Sequence, residues 1–140
     1  YYFLKKPDLI ANQKQDREVI CIDGDGASIM HMGSLITIGS RKPNNLKHFL
    51  INNGVHGSVG DQPTGALTIN FDLIAKASGY DNYLSCSKKS EIYENIKKTI
   101  NNKKLSFLEI KVNTNYRSNL GRPSSSPMDN INLLKNNIIK

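Results

Sequence analysis

Val19-Ile20-Cys21-Ile22-Asp23-Gly24-Asp25-Gly26 carries a short apolar run straight into a turn of alternating aspartate and glycine. Apolar at every position and rich in β-branched residues, the run reads as a strand buried on both faces of a parallel sheet, with the Asp-Gly turn as its end. Residues 27–38 follow with helical spacing. Ile29, Met32 and Ile36 recur at intervals of three and four, Gly39 offers a stop, and Pro43 lies beyond it. Residues 46–51 form the next strand, and Asn52-Asn53-Gly54 the turn after it. From 55 to 70 the chain is rich in Gly, Ser, Thr and Pro, a long loop of the kind that carries function inside a compact domain. The alternation then resumes with a short helix over 72–78 stopped by Gly79 and a strand over 83–86. A helix capped by Ser90 runs to about 101, with Ile92, Ile96 and Ile100 on one stripe. A strand over 105–112, an irregular stretch over 113–127 and a helix over 128–139 complete the chain. Strand and helix in turn predict an α/β fold: an open parallel sheet with helices on both faces. In such sheets ligands gather at the carboxyl ends of strands, where both turns sit.

The totals agree with a single folded domain. The chain has 140 residues, 38% hydrophobic and 22% charged, which is globular rather than disordered composition. Its net charge is +7 and its pI about 9.4, but the basic residues are spread out, with no tight run and no aromatic–basic interleaving. That pattern reads as solvated surface with a contribution toward an anionic small-molecule substrate, and predicts no nucleic-acid partner. Cys21 and Cys86 make no disulfide framework and read as small buried hydrophobes. No apolar stretch is long enough for a membrane helix and no signal peptide is evident, so a cytoplasmic protein without membrane contact is expected. The sequence opens on Tyr1 rather than Met, and its native beginning is expected to lie upstream.

A carboxylate delivered at a strand tip between two glycines leaves room for other atoms to approach the backbone. The free N–H groups of the next helix can take a phosphate. Carboxylate and phosphate repel unless a divalent cation lies between them, and oxygen ligands suit Mg²⁺ or Ca²⁺. Asp25 in this turn is therefore a candidate metal ligand, although an Asp between glycines is also an ordinary turn. The second turn adds weight. Twenty-five residues (27 to 51) separate Gly26 from Asn52, enough for a helix and a return strand. That connection sets the Asn52-Asn53 turn beside Asp25, with an amide oxygen and a backbone carbonyl to complete a hard-cation shell.

Gly24-Asp25-Gly26, the spacer and Asn52-Asn53 resemble the signature of thiamine diphosphate (ThDP) dependent enzymes. Two longer runs narrow the likeness. Residues 22–35 and 52–64, the latter reading Asn-Asn-Gly-Val-His-Gly-Ser-Val-Gly-Asp-Gln-Pro-Thr, are similar to phosphonopyruvate decarboxylase, as is 120–127 near the C-terminus. The likeness covers roughly 17 to 130, and the sulfopyruvate decarboxylases are close enough to stay in contention. It implies Asp25, Asn53 and the carbonyl of Val55 as Mg²⁺ ligands. Gly24, Asp25, Gly26, Ala27, Ser28 and Asn53 would bind the cofactor, the N–H groups of Gly26, Ala27 and Ser28 holding its diphosphate. The implied reaction is decarboxylation of a 2-oxo acid, phosphonopyruvate to phosphonoacetaldehyde, in phosphonate metabolism.

His56 opens the long loop after the metal turn and is the candidate catalytic residue, since a histidine can take or give a proton near neutral pH. His31 reads either as a helix-surface histidine or as part of the cofactor pocket, and His48, within a strand, as structural. Ser58, Gln62 and Thr64 are candidates for hydrogen bonds to substrate or cofactor, or for turn work. Arg122, between Gly and Pro, is a candidate for gripping a phosphonate, or a surface arginine. In the family a glutamate on a separate pyrimidine-binding domain activates the cofactor. The resemblance thus implies a partner domain or subunit and a homo- or hetero-oligomer. Residues 1–16 do not match the segment that opens the family's domain, leaving 17–140 as the ThDP diphosphate and metal domain, shortened at its start. Three readings of the chain follow: a piece of a longer decarboxylase, one subunit of a two-chain sulfopyruvate decarboxylase, or a non-catalytic cofactor-binding or assembly domain.

Overall fold

The computed structural model describes residues 7–115, 119–121 and 123–138. Its centre is a four-stranded parallel sheet in the order β1 (Val19–Gly24), β2 (Leu46–Asn52), β6 (Ser106–Lys111), β5 (Asn82–Cys86). Register runs Val19 to Leu46 across the first pair, Lys47 to Ser106 across the second and Asn82 to Ser106 across the third. The central strands β2 and β6 are buried almost end to end, as expected where helices cover both faces.

One face carries α1 (Pro7–Gln13), α3 (Gly33–Arg41) and α4 (Phe71–Ser78), packed over Leu46, Leu50, Leu105 and Phe107. Asp8 accepts a hydrogen bond from Arg41, tying α1 to α3, and the Asn45 amide reaches the carbonyls of Ala11, Lys14 and Arg17 at 2.9 Å. The other face carries α5 (Lys89–Asn101). Its stripe of Ile92, Ile96 and Ile100 packs on Phe49, Cys86, Leu108 and Ile110, each isoleucine contributing on the order of 1–2 kcal/mol at this partial burial. The α/β architecture with helices on both faces is as the alternation predicts. The final helix, α6 (Pro127–Ile138), is exposed along its described side chains. No helix among the described residues is long and apolar enough to cross a membrane.

Three local expectations are corrected. The single helix over 27–38 is two: α2 (Asp25–Met30) ends at His31, and α3 restarts at Gly33. The break turns the second half so that Leu35, Ile38 and Gly39 face the core, whereas Ile36, on the expected stripe, is 61% exposed. A three-and-four spacing runs across the break without marking it, because nothing local requires the reorientation. Gly39 is not a stop. Lys42, in the left-handed region at φ 47°, ends α3, and Gly39 instead lets the backbone of α3 touch the end of α4. Ser90 does not cap α5, which begins at Lys89 with Lys88 at the cap position and no side-chain cap. The long loop over 55–70 also contains a small antiparallel pair, β3 (Val55–His56) with β4 (Gln62–Pro63). Gly79, at φ 101°, does end α4, its N–H returning to Ala75 and Lys76 carbonyls.

Two polar side chains are buried inside β2. Lys47 is fully buried, donating to the carbonyls of Asn44 at 2.7 Å and Lys104 at 3.2 Å and pairing with Glu18 at 3.2 Å. His48 is buried too, its Nδ1 2.9 Å from the Tyr80 hydroxyl and its ring against Phe107.

Candidate functional site

Because β1 and β2 are parallel neighbours with Gly24 opposite Ile51, their carboxyl ends lie side by side. Asp25, the first residue of α2, is 2% exposed and aims its carboxylate across this gap. Its Oδ1 accepts from the Asn53 N–H at 3.4 Å, and its Oδ2 accepts from the Thr64 hydroxyl. Gly54 completes the second turn at φ 74°, in the left-handed region that suits glycine. Its N–H donates to Asn52 Oδ1 at 3.1 Å, while the Val55 N–H donates to Asn53 Oδ1 at 3.1 Å.

Gly26 is the tightest point of the cleft. A Cβ there would lie 2.5 Å from the His56 ring and 3.2 Å from the Thr64 methyl. The first turn of α2, the Asn53 turn, His56 and Ser58 thus line one cleft. Thr64 spends its hydroxyl on Asp25, a tie outside the roles read from sequence, which were hydrogen bonds to substrate or cofactor and turn work. Gln62 is exposed and sits opposite His56 in the small hairpin, outside the cleft lining. Arg122 lies outside the described residues. His31 is exposed at the break between α2 and α3, on a second cavity with Cys21, Asp23, Ser28 and His48. There the buried Ser28 Oγ and His48 Nε2 have no hydrogen-bond partner among the described residues.

The donor set fits a hard cation that also holds a ligand. It offers one carboxylate, one side-chain amide and backbone carbonyls, and no group of three or more His, Cys, Asp or Glu side chains gathers among the described residues. Such a set is completed by oxygens of a bound phosphate, the usual arrangement for Mg²⁺. The first turn of α2 lines the same cleft, and space is open at Gly24, where an added Cβ would meet nothing within 4 Å.

The family described as thiamine pyrophosphate enzyme, C-terminal TPP binding domain, matches residues 8–110. The chain belongs to this family. As a thiamine pyrophosphate (ThDP) enzyme domain it is 30% identical over 113 residues to a phosphonopyruvate decarboxylase of Streptomyces viridochromogenes, covering 81% of this chain and 28% of that protein. It is 33% identical over 98 residues to a sulfopyruvate decarboxylase of Methanosarcina acetivorans, covering 69% and 25%. To a sulfopyruvate decarboxylase subunit beta of Methanocaldococcus jannaschii it is 38% identical over 88 residues, covering 62% and 46%. The chain therefore spans less than half the length of these relatives. Among solved structures, transketolase from Campylobacter jejuni superposes with a TM-score of 0.59 over 77% of this chain and 18% of that one, at 18% identity, a likeness of fold.

The buried titratable groups behind β1 set a pH limit on this ThDP domain. Burial, and then the Asp23 carboxylate, push the Cys21 thiol up to about 12 from its ordinary 9.0. Burial likewise raises Tyr80, with Cys21, Asp23 and Asp8 adding to it. The fold holds each group in its neutral, protonated form. The associated stability is whole below the unfolded-state value and is lost as pH climbs toward the folded one. Melting temperature should hold to about pH 9 and decline between about 9 and about 12; a level profile through that window contradicts the burial argument.

Proposed function

We propose that this chain supplies the metal- and diphosphate-binding half of a ThDP-dependent 2-oxo-acid decarboxylase, with phosphonopyruvate as substrate and phosphonoacetaldehyde and carbon dioxide as products. The observation that carries the reading is the buried Asp25 carboxylate turned onto the Asn53 turn, in one cleft with the first turn of α2 and the open position at Gly24. Asp25, Asn53 and the Val55 carbonyl hold Mg²⁺; the N–H groups of Gly26, Ala27 and Ser28 hold the diphosphate, and Gly24 keeps the approach clear. When bound, ThDP supplies the carbon that accepts the electron pair released with carbon dioxide. The protein anchors, orients and excludes water. Ser58, on the rim of the cleft, faces substrate, and Gln62 and Arg122 belong to the same proposal as outer contacts for an anionic group. The names of the relatives support decarboxylation of a 2-oxo acid as the reaction class.

A second reading, a sulfopyruvate decarboxylase subunit, is favoured by the 38% identity to a chain named subunit beta. Both readings call for a pyrimidine-binding domain or partner subunit carrying an activating glutamate, in a homo- or hetero-oligomer. The domain proposed for this work is 17–140, with 1–16 as a poorly matched leading segment whose helix α1 packs on the same core.

Calorimetric titration with ThDP in Mg²⁺, repeated in excess chelator, tests the site. Binding that disappears with the metal is the expected result, and binding indifferent to chelator removes the metal from the proposal. His56 packs on Gly26 and lines the cleft proposed for the cofactor. His56→Ala should therefore lower turnover of the assembled enzyme by about 10²-fold, with a much smaller change in ThDP affinity. An unaltered rate places His56 outside the chemistry.

A further inference from the structure

Glu109 is a charged residue in the middle of a buried strand. It is 3% exposed and lies between Leu108 and Ile110, which face the α5 side of the sheet. On the opposite face its Oε1 accepts from Asn52 Nδ2 at 2.7 Å, and its Oε2 accepts from the Tyr83 hydroxyl and from Ser85 Oγ at 3.2 Å. Lys111 is 4.0 Å away and half exposed. Burying a carboxylate is unfavourable even when hydrogen-bonded, and an apolar residue often holds a sheet equally well. Packing alone does not account for a carboxylate here.

We infer that Glu109 is a positioning residue for the metal turn, acting through the side chain of Asn52. Asn52 turns its amide nitrogen toward the Glu109 oxygen that accepts it, which fixes the orientation of the amide. The Asn52 oxygen then points the other way, where it accepts the Gly54 N–H at 3.1 Å. Asn52 is itself buried, and its own carbonyl is held by the Val112 N–H at 2.8 Å, so the amide has a fixed base. Gly54 passes the constraint on: its carbonyl accepts the Thr64 N–H at 3.0 Å, and the Thr64 hydroxyl donates to Asp25. Residues 53 and 55, the proposed metal ligands, flank the pinned glycine. The relay runs from the centre of β6 to both sides of the cation position. The inference rests on the metal reading above for its functional consequence, but the relay can be measured without any cofactor.

The test uses the full-length protein with two readouts: amide hydrogen exchange at Gly54 without ligand, and the Mg²⁺ concentration that half-saturates ThDP binding. Glu109→Leu frees Asn52 to turn. Gly54 exchange should rise about 10-fold or more, and the Mg²⁺ midpoint should rise about 10–100-fold, the scale for losing an outer partner of a metal ligand. Glu109→Gln keeps an acceptor oxygen and should stay within about 3-fold of the parent on both. Tyr83→Phe removes a different Glu109 partner and should leave the Mg²⁺ midpoint unchanged, which a general loosening of the network would not. Folded Glu109→Leu with parental exchange and midpoint overturns the inference, as does equal damage from Glu109→Gln. If Glu109→Leu does not fold, Asn52→Ala removes the Gly54 acceptor directly; parental values there overturn it too. A parent protein that binds no Mg²⁺–ThDP sinks the metal reading instead, while Gly54 exchange still decides the relay.

Discussion

Asp25→Ala is expected to eliminate Mg²⁺-dependent ThDP binding and to leave a folded domain. The carboxylate is 2% exposed, and its hydrogen bonds come from the Asn53 N–H and the Thr64 hydroxyl, both on the loop after β2. Removing it takes away the acidic side chain of the proposed cation shell, leaving an amide and a carbonyl that hold Mg²⁺ poorly against a diphosphate's own demand for charge compensation. Affinity for ThDP in Mg²⁺ should fall by at least about 10²-fold, toward the value seen in chelator. The fold loses less. Two donors are left without their acceptor, at about 1–3 kcal/mol for a buried group, partly offset by relief from burying a charge. Calorimetry with and without chelator, beside a thermal melt, separates the two effects. Parental binding by a folded Asp25→Ala protein overturns the metal assignment.

Gly39→Ala acts on the fold instead. A Cβ at Gly39 would lie 1.7 Å from the Ser78 carbonyl oxygen, 2.6 Å from its carbon and 3.1 Å from Gly79 Cα. These are backbone atoms, and no rotamer change relieves the contact. Gly79 makes the reciprocal approach, where an added Cβ would lie 2.9 Å from the Gly39 oxygen, while held at φ 101°. Both helices end at this crossing, so α3 and α4 must part, which loosens Leu35, Ile38 and Ala75 in the core between them. Alanine favours the helix by about 1 kcal/mol, and overpacking costs about 1–3 kcal/mol or more where backbone is struck. A net loss on the order of 2 kcal/mol should lower the melting temperature by about 5–10 °C in a domain of this size. An unchanged melting temperature shows that the helices do not cross so closely.

Much of this protein is legible where the physics is local. The strand ending at Gly24, the left-handed stop at Gly79 and the isoleucine stripe of α5 each depend on residues within a turn or two, and each stands in the structure where the pattern puts it. The expected burial of that strand on both faces does not hold, because β1 is at the sheet edge and leaves Ile20 and Ile22 47% and 61% exposed. The pairing of the two turns was legible for a related reason. A strand, a helix and a return strand can close in few ways, and the right-handed parallel crossover brings Asp25 and Asn53 to one edge.

Other features are set by contacts between residues far apart in the chain, and no short window contains them. The break after Met30 exists because Leu35 and Ile38 must reach the sheet, and Gly39 matters only because α4 passes it. Thr64 looked like one more loop hydroxyl until the loop folded back 39 residues onto Asp25. Glu109 reads as an anomaly in a strand until Asn52, 57 residues away, is seen to turn its amide toward it. The sequence by itself determined the alternation, the buried stripe of α5 and the two turns that carry the candidate site. Only the tertiary structure decided which side chains hold those turns in shape, because a buried hydrogen bond is specified by both partners and by the packing that removes water from between them.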